Sequence, residues 1–313
     1  MAEPVFDKIA IIGIGLLGSS IAHAAHAYSA ATEVSYFDMD EAALSLAQKI
    51  VPGTAAKYAQ DAVEGADAIF LCTPVGALKV VTESIAPALQ KGAILTDVGS
   101  VKAKAAEDMA AFCPDHVHLI PGHPVAGTEK SGPDAGFASL FQDAWHILTP
   151  LERIDSEYTD AVSKLTRFWK ALGAKVETMS ASRHDRVLAI TSHLPHLIAY
   201  NIVSTAYDME SVEDGEVVKY SAGGFRDFTR IAASDPTMWR DVFLTNKDAV
   251  LETLGRFSED LAALQRAIRW GDGDTLMKEF TRARGIRKAI IDAGLDTDEA
   301  DFGRRSSEPS EES

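Results

Sequence analysis

Apolar residues in the first half of the chain fall in short runs separated by helical periodicity. Lys8–Ile14, Glu33–Asp38, Asp67–Cys72 and Ile94–Asp97 are strand-length. Ser19–Tyr28 and Asp40–Ile50 repeat apolar positions at helical spacing, with Asp40 suited to the N-cap. Thr73-Pro74 stops the third strand, and His116–Ile120 and His146–Leu148 are further short strand candidates. Strands separated by helices predict parallel βαβ units with right-handed crossovers, hence an α/β chain with a doubly wound sheet.

Past Pro150 the rhythm changes. Glu157–Leu172 predicts a helix and Lys175–Met179 a last strand; Arg183–Thr205, Val212–Tyr220, Pro236–Arg269 and Asp274–Ala293 then read as helices. Asp274 follows the Trp270–Gly273 break as a candidate N-cap. The expected organisation is a sheet domain over 1–180, an all-helical domain over 181–295 and a tail over 296–313. That tail holds seven acids against Arg304 and Arg305, with almost no large apolar residues, and is expected to be disordered.

The 313 residues carry a formal charge of −16. This argues against sequence-independent binding to nucleic acid or to an anionic membrane, both of which need a dense cationic face. Two cysteines, Cys72 and Cys113, cannot build a disulfide framework and show no zinc spacing. The run Ile9–Ala27 resembles a signal peptide, but its leader is net acidic where a secretory leader is basic. No segment offers about 20 clean apolar residues for a membrane span. A cytoplasmic location is expected.

Gly13-Ile14-Gly15-Leu16-Leu17-Gly18 follows a predicted strand and opens a helix. The first glycine permits the tight turn, the second lets a pyrophosphate approach the backbone, and the third lets helix and strand pack closely. The helix N-terminus then offers free N–H groups and partial positive charge. Asp38 closes the second strand, where a carboxylate accepts from ribose hydroxyls and repels a 2′-phosphate; no Lys or Arg follows before Lys49. These features predict a Rossmann domain that binds NAD rather than NADP. Gly13, Gly15, Leu16, Leu17, Gly18 and Asp38, with Thr73, Pro74 and Ser100 at other strand ends, are the cofactor-binding candidates.

Three further segments concentrate polar residues. Asp97–Lys102 lies past the carboxyl end of a strand, the edge where open α/β sheets bind ligands; Ser100 could cap the next helix, reach the nicotinamide, or both. Gly122–Gly132 reads as a long polar loop in which Gly122 and Pro124 fix the direction of His123. Histidine is the side chain best matched to take a proton from an alcohol near neutral pH. In the helical half stand Ser192–His196 and Gly223–Ala232; Arg226 and Arg230, four apart, form either a surface ion-pair ladder with Asp227 or a carboxylate clamp. A metal at His116/His118 or His193/His196 is the weaker reading, because Pro195 distorts the second pair and no carboxylate stands at a matching offset; no metal site is assigned.

GHPVAGTEKSG at 122–132, DVGSVK at 97–102, SHLPH at 192–196 and GGFRDFTRIAASDPTMW at 223–239 closely resemble the prephenate/arogenate dehydrogenases of tyrosine biosynthesis, from about Lys8 to about Ala293. The resemblance implies a helical domain that forms a homodimer. It also implies NAD-dependent oxidation of a small cyclohexadienyl alcohol with loss of the ring carboxylate, giving 4-hydroxyphenylpyruvate from prephenate or tyrosine from arogenate. By it, His123 accepts the ring hydroxyl proton, and Ser100 orients His123 and the cofactor. Arg230 binds a substrate carboxylate, His196 lines the substrate site, and Glu129 and Asp227 belong to a polar network at its entrance. Two other readings share the fold: a β-hydroxyacid dehydrogenase, whose catalytic lysine has no counterpart between Ser180 and Lys219, and a non-catalytic NAD-binding sensor.

Overall fold

The computed structural model describes residues 3–128, 130–153, 155–210 and 223–292. In chain order the first elements are β1 (Phe6–Ile12), α1 (Leu16–Ala27), β2 (Ala31–Phe37), α2 (Glu41–Ile50), β3 (Thr54–Ala55), α3 (Ala59–Val63), β4 (Ala68–Leu71), α4 (Leu78–Ile85), β5 (Ile94–Asp97), α5 (Ala103–Ala110) and β6 (His118–Leu119). Their strands form one sheet of order β3-β2-β1-β4-β5-β6, parallel at every pairing. β4 and β5 are buried along their whole length, as strands covered on both faces must be, and this is why they read as unbroken apolar runs. The chain steps from β1 outward to β2, then returns to β4 on the other side. That reversal places the crevice directly beyond the carboxyl end of β1.

A second, three-stranded sheet follows: β7 (Gly122–Val125) pairs antiparallel with β8 (Trp145–Leu148), which pairs parallel with β9 (Lys175–Thr178) after α6 (Ser156–Ala171). Two expectations are corrected here. His146–Leu148 does not extend the doubly wound sheet, and the start of the expected loop at 122–132 is a strand. Gly and Pro hide it from propensity, but as an edge strand β7 loses no pairing through the missing N–H of Pro124. Gly122 is required for space, since a Cβ there would stand 2.8 Å from Nε2 of His146. Trp169 of α6 stacks on that buried His146 at 3.8 Å between ring centroids and meets Phe70, Phe141 and Phe168 edge-on, joining both sheets in one core.

The helical half begins with α7 (Ala181–Leu188), capped by Ser180, and continues without a break through a π-helical turn, Ala189–His193, into α8 (Leu194–Glu210). The wide turn lies just ahead of Pro195, whose ring would collide with the carbonyl one turn earlier in a regular helix. The combined helix Ala181–Met209 has a mean hydropathy of 1.2 over an 18-residue window, long and apolar enough to cross a membrane by composition. It is not a clean apolar run, since Arg183 and Arg186 stand in its first turns and His184, Asp185 and His193 lie buried within it.

Helices Gly223–Thr229, Pro236–Thr245, Lys247–Trp270 and Gly273–Asp292 follow. The expected single helix over 236–269 is broken at Asn246, and Asp272 rather than Asp274 caps the last one, accepting from Thr275 N at 3.0 Å. Val212–Tyr220 and the acidic tail lie outside the described residues. Packing groups the chain into two units, 1–253 and 254–313. The first unit runs past Ser180 because the early helices share the sheet domain's core: Trp239 and Val242 pack with Leu71, Val75 and Val101.

Candidate active site

The turn after β1 has the geometry a dinucleotide needs. Gly13 adopts φ +97°, and a Cβ there would stand 2.7 Å from the carbonyl oxygen of Cys72. A Cβ on Gly18 would strike the carbonyl of Gly13, so α1 can pack this close to β1 only with glycine. Beside Gly15 the space is open, and the first backbone bond inside the helix is Ser19 N to Gly15 O. The N–H groups of Leu16, Leu17 and Gly18 therefore lack acceptors within the helix and carry its positive end. Asp38 accepts from Ile14 N at 2.8 Å and Asp40 N at 2.9 Å, tying the end of β2 to the turn. At the end of β4, the Thr73 hydroxyl is buried and unpaired, with exposed Pro74 beside it. The residues present fit NAD.

One sheet position over, the carboxyl end of β5 carries a buried ion pair. Lys102 and Asp97 are both fully buried and in direct contact, and Lys102 Nζ also donates to Gly122 O at 2.6 Å. Asp97 accepts from Gly99 N at 2.9 Å and Gly122 N at 3.2 Å. The pair thereby clasps the first residue of β7 and fixes the register of the strand that bears His123. Ser100 is half-buried in this loop and does not cap α5. That cap comes from Asp185, 83 residues on, whose carboxylate accepts Lys102 N at 2.8 Å and Ala103 N at 2.9 Å.

His123 is 6% exposed, and its Nδ1 lies 2.8 Å from Nε2 of His184. Nδ1 of His184 is in turn 2.8 Å from Oδ1 of Asp185. A carboxylate only accepts, so His184 carries its proton on Nδ1 and presents a lone pair at Nε2. His123 consequently donates from Nδ1 and keeps Nε2 as its basic nitrogen. Burial, then the charges of His184, Lys102, His146 and His193, push the His123 imidazole well below its ordinary range and keep it neutral. Burial alone would raise Asp185, but bonds from His184, Lys102 N and Ala103 N outweigh it and hold the carboxyl low.

On the helical side, Asn246, at the break between two helices, donates to Asp185 O at 2.9 Å and contacts Nδ1 of His193 at 3.1 Å. His196 bonds Ser192 O at 2.9 Å and stacks on Trp239 at 3.6 Å between centroids. Burial and then the Arg230 charge lower His196, so Arg230 stands near that ring. Arg226, Asp227 and Arg230 are exposed, and Glu129 lies outside the described residues. Sequence reasoning missed His184, Asp185, Trp239 and Asn246 as site members. Asp185 beside a histidine at a helix start was the one local signal available.

The buried histidines make acid stability a direct readout. His193 is pushed down to about 4, first by burial, while an unfolded histidine titrates near 6.5. A depressed folded value means the unfolded chain binds protons first as pH falls. The contribution is intact above about pH 6.5, and some 3 kcal/mol is lost by about pH 4 from this group alone. The denaturant midpoint should drop between pH 7.5 and 5, with a shallower slope in His193→Asn. A wild-type midpoint that stays level over that interval contradicts neutral burial.

Two family models match the chain: "Prephenate dehydrogenase, nucleotide-binding domain" over residues 21–178 and "Prephenate dehydrogenase, dimerization domain" over 180–282. Cyclohexadienyl dehydrogenase of Zymomonas mobilis is 43% identical across 91% of this chain and 97% of that protein. The structure of prephenate dehydrogenase from Aquifex aeolicus with hydroxyphenyl propionate and NAD+ is 32% identical, covering 91% of this chain and 98% of that one at a TM-score of 0.82. The Synechocystis arogenate dehydrogenase structure is 26% identical, covering 90% and 99% at 0.74.

Proposed function

Because the chain belongs to the prephenate dehydrogenase family, we propose that His123 accepts the ring hydroxyl proton of the substrate and that Arg230 binds a substrate carboxylate. The activity is NAD-dependent oxidative decarboxylation of prephenate or arogenate. The observation that carries the residue assignment is the chain of contacts from Asp185 through His184 to His123, which leaves a neutral, basic Nε2 on a buried ring. NAD, when bound, takes up the hydride released at ring carbon C4. His123 polarises the C4 hydroxyl while that carbon becomes electron-deficient. The electrons of the breaking carboxylate bond then fill the ring, CO2 leaves, and the proton returns to the phenol oxygen. No proton is released overall, and aromatisation drives the step, so the protein's task is chiefly alignment and transient acceptance of one proton.

The division of labour is proposed to fall at Ser180. Gly13, Gly15, Leu16, Leu17, Gly18, Asp38, Thr73, Pro74 and Ser100 hold and orient the cofactor. Arg230 and His196, with Asp227 at the entrance, receive the substrate. Ser100 supports this reading by its place beside His193, whose ring its backbone carbonyl faces. The exposed apolar side chains Ile190, Ile202, Val203 and Tyr207 on one long helix, within the matched dimerization segment, support a homodimer.

The test is NADH formation with prephenate and with arogenate, on protein whose mass by light scattering is twice 33.6 kDa. In Arg230→Ala, KM should rise about 30–100-fold, the cost of one charge-assisted contact, while kcat stays within about threefold. The guanidinium serves best by gripping the carboxylate without holding its charge so firmly that decarboxylation suffers. A kcat that falls as far as kcat/KM, with KM unmoved, contradicts this binding role.

A further inference from the structure

The His123–His184 contact carries more than orientation. We propose that His184 is the second station of a two-ring proton relay: as His123 Nε2 takes the substrate hydroxyl proton, His123 Nδ1 passes its own proton to Nε2 of His184. This rests on His123 being the proton acceptor and adds where the charge goes. The substrate O–H bond breaks with its electron pair left on oxygen, and a bond forms at His123 Nε2. The His123 Nδ1–H bond breaks, a bond forms at His184 Nε2, and both transfers reverse when the phenol oxygen recovers its proton.

Geometry makes His184 the better place for the cation. The two rings meet nitrogen to nitrogen at 2.8 Å, inside normal hydrogen-bond length. On its far side His184 faces the Asp185 carboxylate at 2.8 Å, whereas the rings and cation facing His123 are His184, His146, His193 and Lys102. A positive charge on His123 would therefore sit among like or neutral groups. One ring further in, it sits against an anion. Burial, and after it Lys102, oppose the charged form of His184, while the Asp185 bond and the Asp185 and Asp97 charges favour it. Asp185 is itself immobilised, since its two oxygens hold the first N–H groups of α5 and its backbone carbonyl accepts from Asn246. The acceptor thus cannot swing away when the proton arrives, a pre-organisation that a solvent-exposed partner would lack.

His184→Gln separates relay from positioning, because a glutamine carbonyl still accepts the His123 Nδ1 hydrogen bond but cannot take the proton. We expect kcat to fall about 10–100-fold, with substrate KM and NAD affinity within about twofold. In the wild type, a proton inventory in mixed H2O and D2O under single-turnover conditions should bow, as two moving protons require. ¹⁵N spectra of the cofactor-free protein should show both His123 and His184 as Nδ1–H tautomers. A linear inventory overturns the relay, as does an Nε2–H tautomer on His184 or wild-type kcat in folded His184→Gln. If the glutamine variant does not fold, the two wild-type measurements decide alone. An inactive His123→Asn alongside an unaffected His184→Gln removes the relay and leaves the His123 assignment standing, whereas an active His123→Asn removes both.

Discussion

His123→Asn is expected to lower kcat by about 10²–10⁴, the range for losing a positioned acid–base group. NAD affinity should stay close to wild type. The asparagine amide can still hydrogen-bond to Nε2 of His184, so the buried pocket need not collapse. What disappears is the one nitrogen that the Asp185–His184 chain leaves unprotonated and basic. Burial keeps the native imidazole neutral, so wild-type protein meets its substrate ready to accept a proton rather than already carrying one. Steady-state NADH formation, beside a fluorescence titration with NAD, checks both halves. Turnover at the native rate would end the proton-acceptor assignment and, with it, the physical account of this site.

Lys102→Met should destabilise the protein by about 3–5 kcal/mol, the usual cost of leaving one partner of a buried ion pair uncompensated. Asp97 would keep only the N–H groups of Gly99 and Gly122, and the Gly122 carbonyl would lose its donor. Because Gly122 precedes His123 on β7, kcat should fall along with the denaturant midpoint. Lys104 supplies the contrast two residues later. Its side chain is 40% exposed and pairs with Glu107 and Asp108 on the surface of α5, where solvent screens the pair, so Lys104→Met should leave the denaturant midpoint close to wild type. Equal midpoints for the two variants would show that Lys102 is solvated in solution, contrary to its complete burial here.

Much of the sheet half was legible in the sequence, for reasons that are local. β4 and β5 show as apolar runs because both faces are covered. The turn at Gly13 shows because φ +97° and a backbone 2.7 Å from any Cβ admit only glycine. Asp40 caps α2 as its sequence position predicts, accepting from Ala42 N and Ala43 N. Three of the polar motifs also come together in the fold, since Lys102 donates to Gly122 O and the ring of His193 lies beside Ser100. Less legible were the strand at 122–125, disguised by Gly and Pro, and the helix break at Asn246, whose side chain is held by Asp185 O and His193.

The sequence by itself therefore determined most of the sheet-half elements and the dinucleotide turn, because turn geometry, capping and periodicity are settled within a few residues. Only the tertiary structure decided how those residues are wired. His184 reaches His123 across 61 positions, Asp185 caps a helix 82 and 83 positions earlier, and Asn246 holds Asp185 from 61 positions away. Such pairings depend on closing long stretches of chain around one core, and a one-dimensional pattern carries no trace of which distant polar group will satisfy a buried one.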